Sequence, residues 1–167
     1  MKRIARLSMQ ALAYFAFAAT IAYFASMPSY RYAEPDLTNI KLSIVHTTER
    51  VEPCVPLTQE QIAELAANMR RAESCERERL PLYVELDVDG RTVIKSTSLP
   101  SGLWRDGHAS VYQRFDVPGG KHSIAVRIRD SARSAGWDYE QSTTAELQAG
   151  RYFTVTFRSE TGEFVFR

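Results

Sequence analysis

Leu82-Tyr83-Val84-Glu85-Leu86-Asp87-Val88-Asp89-Gly90-Arg91-Thr92-Val93-Ile94-Lys95-Ser96 is the stretch whose reading decides the fold. Leu82, Val84, Leu86 and Val88 alternate with Tyr83, Glu85 and Asp87, the period of a strand with one buried face. Asp89-Gly90 is a hairpin turn of the primed type, and Arg91 to Ser96 returns. Downstream, Val111 to Val117 goes out and Pro118-Gly119-Gly120 turns. Ile124, Val126 and Ile128 come back, with Arg127 and Arg129 on the other face. Tyr139 to Leu147, the turn Gln148-Ala149-Gly150 and the alternation Phe153, Val155, Phe157 repeat the theme. Thr161-Gly162 then leads to Phe164-Val165-Phe166. Upstream, Ile40, Leu42 and Ile44 read as the first strand. These are about eight short strands with turn signals between them, the pattern of a mainly β chain folded as an antiparallel sandwich.

One helix interrupts the strands. Thr58-Gln-Glu-Gln61 is a capping box. Ile62, Leu65, Ala66 and Met69 then form one apolar stripe, which predicts an amphipathic helix over about 59–72 packed on a sheet. The charge-dense run Arg70 to Arg79 reads as solvated surface.

Val117-Pro-Gly-Gly-Lys-His122 and Leu147-Gln-Ala-Gly-Arg-Tyr152 share the pattern apolar-x-x-Gly-basic-aromatic, 30 residues apart. These phrases resemble small bacterial envelope β-sandwiches of immunoglobulin-like, transthyretin-like and PEGA type. The resemblance covers residues 82–167. Within it, Leu147-x-x-Gly150-x-Tyr152 resembles the tyrosine corner of immunoglobulin-like sandwiches. The resemblance implies a fold that binds other proteins or acts as a spacer, and it brings no active site.

The N-terminus places the domain. Lys2, Arg3 and Arg6 precede an uncharged apolar run from Leu7 to Met27. At about 1.5 Å per residue its 21 residues cover roughly the 30 Å hydrocarbon core of a bilayer. The basic excess before the run predicts a cytoplasmic N-terminus. Tyr14 and Phe15 lie towards one end of the run, and Tyr23, Phe24, Tyr30 and Tyr32 at the other. A cleaved secretory signal is the alternative. Its apolar stretch would be shorter, and Ala25-Ser26-Met27-Pro28 is a poor cleavage site. The expectation is residues 1–27 as cytoplasmic N-terminus and transmembrane anchor, 28–38 as an extended linker, and 39–167 as a periplasmic domain. The chain then sits in a bacterial inner membrane with one pass. Ala11, Ala18, Ala22 and Ser26 fall near one helix face, where small residues let another helix approach, or where alanine is simply common. That helix is also where lipid or pigment contacts would lie.

Charge excludes one class of partner. Setting aside Lys2, Arg3 and Arg6, 18 basic residues face 20 acidic ones, not the basic excess of a nucleic-acid binder. Cys54 and Cys75 would form a disulfide in an oxidising compartment. A 59–72 helix, about 21 Å long, would force the flanking segments to double back to bring the two together. Two lone thiols without clustered His or Cys make no metal site.

No catalytic signature occurs. His46, His108 and His122 are far apart in sequence, and no G-x-S-x-G elbow, P-loop or dinucleotide motif is present. Turn chemistry accounts for Asp87 and Asp89. No catalytic, cofactor or metal residues are therefore expected, and the chain is read as no enzyme.

Trp104 and Trp137 sit in the two long connections. Alternating strand direction puts both connections at one end and the short turns at the other. Trp104, Arg105, Arg133 and Trp137 are the residue types of protein-docking surfaces. The alternative is that each tryptophan plugs an end of the core. The expected function is a non-catalytic accessory subunit. It would dock on other subunits of an integral membrane complex, for instance a respiratory or photosynthetic electron-transfer complex. A membrane-tethered periplasmic assembly factor or chaperone is the alternative, and an anchored enzyme or small-ligand binder the third reading.

Overall fold

The structure is a computed structural model that describes residues 2–27 and 34–167. The chain divides into two compact units, with the boundary after Glu34. Residues 28–33, most of the expected linker together with Tyr30 and Tyr32, lie outside the described residues. Leu37 and Thr38, the end of that expected linker, already belong to the first strand.

The first unit is helix α1, Lys2–Ser26, 25 residues long. It is long and apolar enough to cross a membrane. Met27 N donates to the Tyr23 carbonyl at 2.7 Å and closes the last turn. Ala11, Ala18, Ala22 and Ser26 are all exposed on it.

The second unit is mainly β. Its elements are β1 Leu37–His46, β2 Val55–Pro56, α2 Gln59–Glu64, a 3₁₀ turn Ala67–Met69, β3 Glu73–Ser74, β4 Leu82–Val88, β5 Arg91–Ser98, β6 Ala109–Pro118, β7 Gly120–Arg129, β8 Tyr139–Leu147, β9 Tyr152–Arg158 and β10 Glu163–Phe166. They form two four-stranded sheets, in the orders β10-β9-β1-β6 and β5-β4-β7-β8, and the small pair β2-β3. Both sheets feed one core. Ile40, Leu42 and Ile44 of β1, Leu82, Val84 and Leu86 of β4, and Ile124, Val126 and Ile128 of β7 are wholly buried in it. Each such side chain contributes about 1.5–3 kcal/mol by leaving water. The alternation in Leu82–Val88 is realised as strict in-out burial. Asp89 and Gly90 both take positive φ, 52° and 76°, as the primed turn requires.

The repeated Gly phrases have a topological meaning. β6 lies in one sheet and β7 in the other, and the same holds for β8 and β9. Pro118–Gly120 and Gln148–Arg151 are therefore the points where the chain steps between sheets, and neither is a hairpin. The two steps sit side by side at the start of β1. Gly119 N donates to Asp36 O, and Gly150 N to Leu37 O at 2.8 Å. A Cβ on Gly119 would lie 3.0 Å from the Ala149 backbone nitrogen, so only glycine lets the steps pack this closely.

The second step corrects the expected all-antiparallel pairing. It delivers β9 alongside β1 in the same direction, and the two pair in parallel from Asn39↔Tyr152 to Ser43↔Thr156. Tyr152 makes no tyrosine corner. It is half exposed, and Lys41 Nζ lies 3.3 Å over its ring.

The expected helix over 59–72 is also corrected. Thr58 and Gln61 do form the capping box, but α2 stops after Glu64 because Leu65 turns to extended backbone at ψ 143°. The cause is closure. Leu57 N donates to Ala72 O at 2.8 Å, so the ends of this segment meet, whereas a straight helix would hold them about 20 Å apart. Val55↔Ser74 and Pro56↔Glu73 pair, and Cys54–Cys75 closes the segment as a disulfide. The stripe packs on no sheet: Ile62 and Leu65 are half-buried, and Ala66 and Met69 are exposed.

Candidate functional site

Strand direction sends the 47–81 excursion, the 99–108 and 130–138 connections and the turn after β9 to one end of the domain. The short turns at Asp89-Gly90, Gly119 and Ala149 lie at the other. The two tryptophans share the first end but line different clefts.

Trp104 belongs to the larger cleft, about 770 Å3, between the disulfide and its own loop. Leu103 and Trp104 stand on that loop 91 % and 62 % exposed. The loop is held from below just past them, at Arg105 and Asp106. Arg77 donates to Asp106 Oδ2 from Nε at 3.0 Å and from Nη2 at 2.5 Å. Arg79 donates from its backbone N to Arg105 O at 3.0 Å and from Nε to Asp106 O at 3.2 Å. The Arg77 guanidinium sits 5.9 Å from the Trp104 ring centroid. Arg105 takes a positive φ of 49°, and its Nη1 lies 3.2 Å from Glu78 Oε1.

The charges along this cleft are unequal. The hydrogen bond from Arg77 holds the Asp106 carboxyl below the usual carboxylate range. Glu76 goes the other way. A hydrogen bond shared with Glu52, and the like charge of Glu52, push its carboxyl up, with burial and Glu78 adding to the effect. Arg50 reaches this segment but donates to the Glu76 backbone carbonyl, not to either carboxylate. Among the described residues no arginine or lysine forms an ion pair with Glu52 or Glu76, so the pair presents negative charge to the cleft. The Cys54 and Cys75 sulfurs and a Glu73 oxygen lie within 4.8 Å of one another, but disulfide sulfurs are not thiolate ligands.

Trp137 lies half-buried against the outer face of the sheet β5-β4-β7-β8, 5.4 Å from the Arg127 guanidinium and 5.9 Å from that of Arg129. Neither tryptophan enters the core cluster. Arg133 is turned to its own loop: Nε lies 2.9 Å from Asp138 Oδ1, and Nη1 donates to Trp137 O at 3.4 Å. Asp138 also accepts from the backbone nitrogens of Asp130 and Ser131 at 2.9 and 3.1 Å and from Ser131 Oγ at 2.8 Å. Burial works to raise its carboxyl, and these donors together hold it below the usual range.

The histidines remain apart. His122 pairs with Asp89 at 2.6 Å beside the short turns, and His108 Nδ1 meets Thr47 Oγ1 at 2.5 Å. His46 is the one that sequence reasoning missed. Its Nδ1 lies 2.8 Å from Ser159 Oγ and its Nε2 2.6 Å from Asp130 Oδ2. Ser, His and Asp in that order could activate a hydroxyl, but acyl transfer also needs oxyanion donors and a place for substrate. The clefts lined by Trp104 and Trp137 include none of the three residues. The signal for a buried His46 was present in the sequence: it continues the inward alternation Ile40, Leu42, Ile44.

No family model, curated protein or solved structure matches this chain.

Proposed function

We propose that the chain is a membrane-anchored, non-catalytic accessory subunit that docks on another subunit of an integral membrane complex through the Leu103-Trp104-Arg105 loop. In this reading α1 crosses a bacterial inner membrane with Lys2, Arg3 and Arg6 on the cytoplasmic side. The two four-stranded sheets are the layers of an immunoglobulin-like sandwich in the periplasm. The disulfide supports that compartment, since such bonds persist where the surroundings are oxidising.

The observation that carries the docking role is the pairing of extreme exposure at Leu103 and Trp104 with firm support of their loop at Arg105 and Asp106. Large apolar side chains held ready on a fixed backbone beside a cleft lose little entropy on binding, the character of an interface anchor. Charge complementarity describes the partner. It offers an apolar surface to Leu103 and Trp104 and a lysine or arginine to Glu52 and Glu76.

The test is purification of the full-length chain from native membranes in a mild detergent, followed by particle size, mass-spectrometric composition and an absorption spectrum. The expected result is co-migration at a fixed ratio with a larger assembly, lost in Leu103→Ser/Trp104→Ala. Presence at a small fraction of that assembly makes the chain an assembly factor. Recovery as a small free species sinks the reading.

A further inference from the structure

The outer face of the sheet β5-β4-β7-β8 carries one rung of compensated charge and, next to it, a cation that no carboxylate pairs with among the described residues. Lys95, Glu85, Arg127 and Glu140 stand abreast on β5, β4, β7 and β8. Lys95 Nζ lies 2.8 Å from Glu85 Oε1, Arg127 Nε 3.3 Å from Glu85 Oε2, and Arg127 Nη1 3.6 Å from Glu140 Oε1. Arg127 also bonds Asp87. The carboxylates of Glu85, Asp87 and Glu140 are thereby each paired with a cation.

Arg129 is one rung further on, abreast of Tyr83. Among the described residues no carboxylate reaches it. Its hydrogen bond is a long one, Nη1 to Ser134 O at 3.4 Å, and its Nε is buried with no acceptor. The guanidinium lies 4.5 Å over the Tyr83 ring and 5.9 Å from the Trp137 ring. These three side chains, with Lys95, Ser96 and Thr97, line a cleft of about 340 Å3. That is the small end of ligand sites, room for one ring.

We propose that this cleft binds a carboxylate carried on a saturated ring, that is, a sugar acid. The Nη1–Nη2 end of a guanidinium is a planar fork that matches both oxygens of a carboxylate, and on Arg129 this end carries only the long bond to Ser134 O. The faces of Tyr83 and Trp137 suit the C–H face of a ring, and Thr97 and Lys95 offer polar partners to its hydroxyls. The loop that carries Trp137 is fixed in advance by the bonds of Asp138 and Arg133, so little order remains to be imposed on binding. The site is separate from the Trp104 cleft and does not depend on the docking role.

Full-length protein in detergent micelles, grown with 5-fluorotryptophan, gives two fluorine resonances, Trp104 and Trp137, assigned with Trp104→Phe. Sodium glucuronate, glucose and sodium phosphate are titrated at matched ionic strength. Glucuronate is expected to move the Trp137 signal saturably with a half-point near about 1 mM, leaving Trp104 in place. Glucose and phosphate should each need at least about tenfold more. Arg129→Lys, which keeps the charge and loses the fork, should weaken glucuronate at least about tenfold with the Trp104 signal unchanged. Tyr83→Leu, which keeps the cation and loses the ring face, should weaken it as well. A Trp137 signal that glucuronate does not move overturns the proposal. So does an equal response to glucose or to phosphate, or full affinity in both variants.

Discussion

Nε2 of His46 lies 2.6 Å from Oδ2 of Asp130, and the two side chains are only 7 % and 10 % exposed. The opposite ring nitrogen meets Ser159 Oγ at 2.8 Å. His46 ends β1, Asp130 follows β7 and Ser159 follows β9, so one imidazole joins three strand ends from both sheets. Phe157 and Tyr139 meet the ring edge-on at 5.1 and 6.1 Å. Both nitrogens of a buried imidazole are satisfied, which is what a brace requires.

The brace predicts unequal costs for its members. His46→Ala removes the donor from a buried carboxylate and leaves a cavity among aromatic rings, so it should destabilise the domain by about 3 kcal/mol. Ser159 is exposed, and Ser159→Ala should cost about 1 kcal/mol or less. Urea unfolding followed by circular dichroism measures both. A fluorophosphonate probe should leave Ser159 unlabelled; labelling would make the three residues a relay.

The local part of this architecture was legible and the non-local part was not. The alternation at Leu82–Val88 and the Asp89-Gly90 turn are fixed by neighbours in the chain, and β4 and β5 follow them residue by residue. The phrases at Gly119 and Gly150 were readable as turns. Whether a turn joins two paired strands or steps between sheets depends on which distant strands pair, and the same glycine serves both. The helix over 59–72 failed for a related reason. Its capping box is local, but its length is set by the Cys54–Cys75 closure. His46 meets a serine 113 positions away, and Arg129 meets Tyr83 only through strand register. Only the inward or outward phase of each could be read in advance.

The disulfide should govern the cleft rather than the core. Residues 51–77 contribute nothing to the core cluster. Chain entropy for a loop of this size is about 3 kcal/mol, and here it acts on the closure of the excursion alone. Cys54→Ser/Cys75→Ser should speed amide exchange at residues 55–74 by about 100-fold and shift the main thermal transition by no more than about 2 °C. Loss of cooperative folding in the double variant would make the excursion part of the core.

Trp104 and Trp137 should separate in a pair of single variants. Trp104 is mostly exposed, so Trp104→Ala should change stability by less than about 0.5 kcal/mol. It should weaken partner binding by about 2 kcal/mol, roughly 30-fold. Trp137→Ala removes contacts with Arg127 and Arg129. It should cost about 1 kcal/mol of stability and leave partner affinity intact. Co-purification from membranes with each variant reads this directly. Equal loss in both would join the two clefts into one interface.

Glu76 supplies a pH signature for docking. Its carboxyl is held above the ordinary range chiefly by the hydrogen bond with Glu52. In the free protein the shared proton favours the closed pair at low pH, and that contribution fades as pH rises through the raised value. A partner cation requires the ionised pair, so affinity should rise over the same interval, with proton uptake into buffer on binding. Calorimetry in buffers of different ionisation enthalpy measures the proton count. Glu52→Gln should reduce both the pH slope and the released proton, and an unchanged slope would place the partner's charge elsewhere.

Asp138 should set the acid limit of the loop that carries Trp137. Burial alone would raise its carboxyl, but the Ser131 hydroxyl and the backbone N–H groups of Asp130 and Ser131 hold it down. A carboxyl depressed in the folded state contributes stability that is complete above its unfolded value, about 3.9, and is lost as pH falls through the lower folded value. Asp138→Asn keeps the shape but replaces the ionised acceptor and sets an amide against Arg133 and the backbone donors. It should cost about 2 kcal/mol at neutral pH and progressively less in acid. Wild type and variant should therefore converge as pH is lowered, seen as thermal midpoints that approach one another as pH falls below the unfolded value and through the depressed folded one. Parallel curves over the whole range would mean that the donors stabilise Asp138 by shape and not by charge.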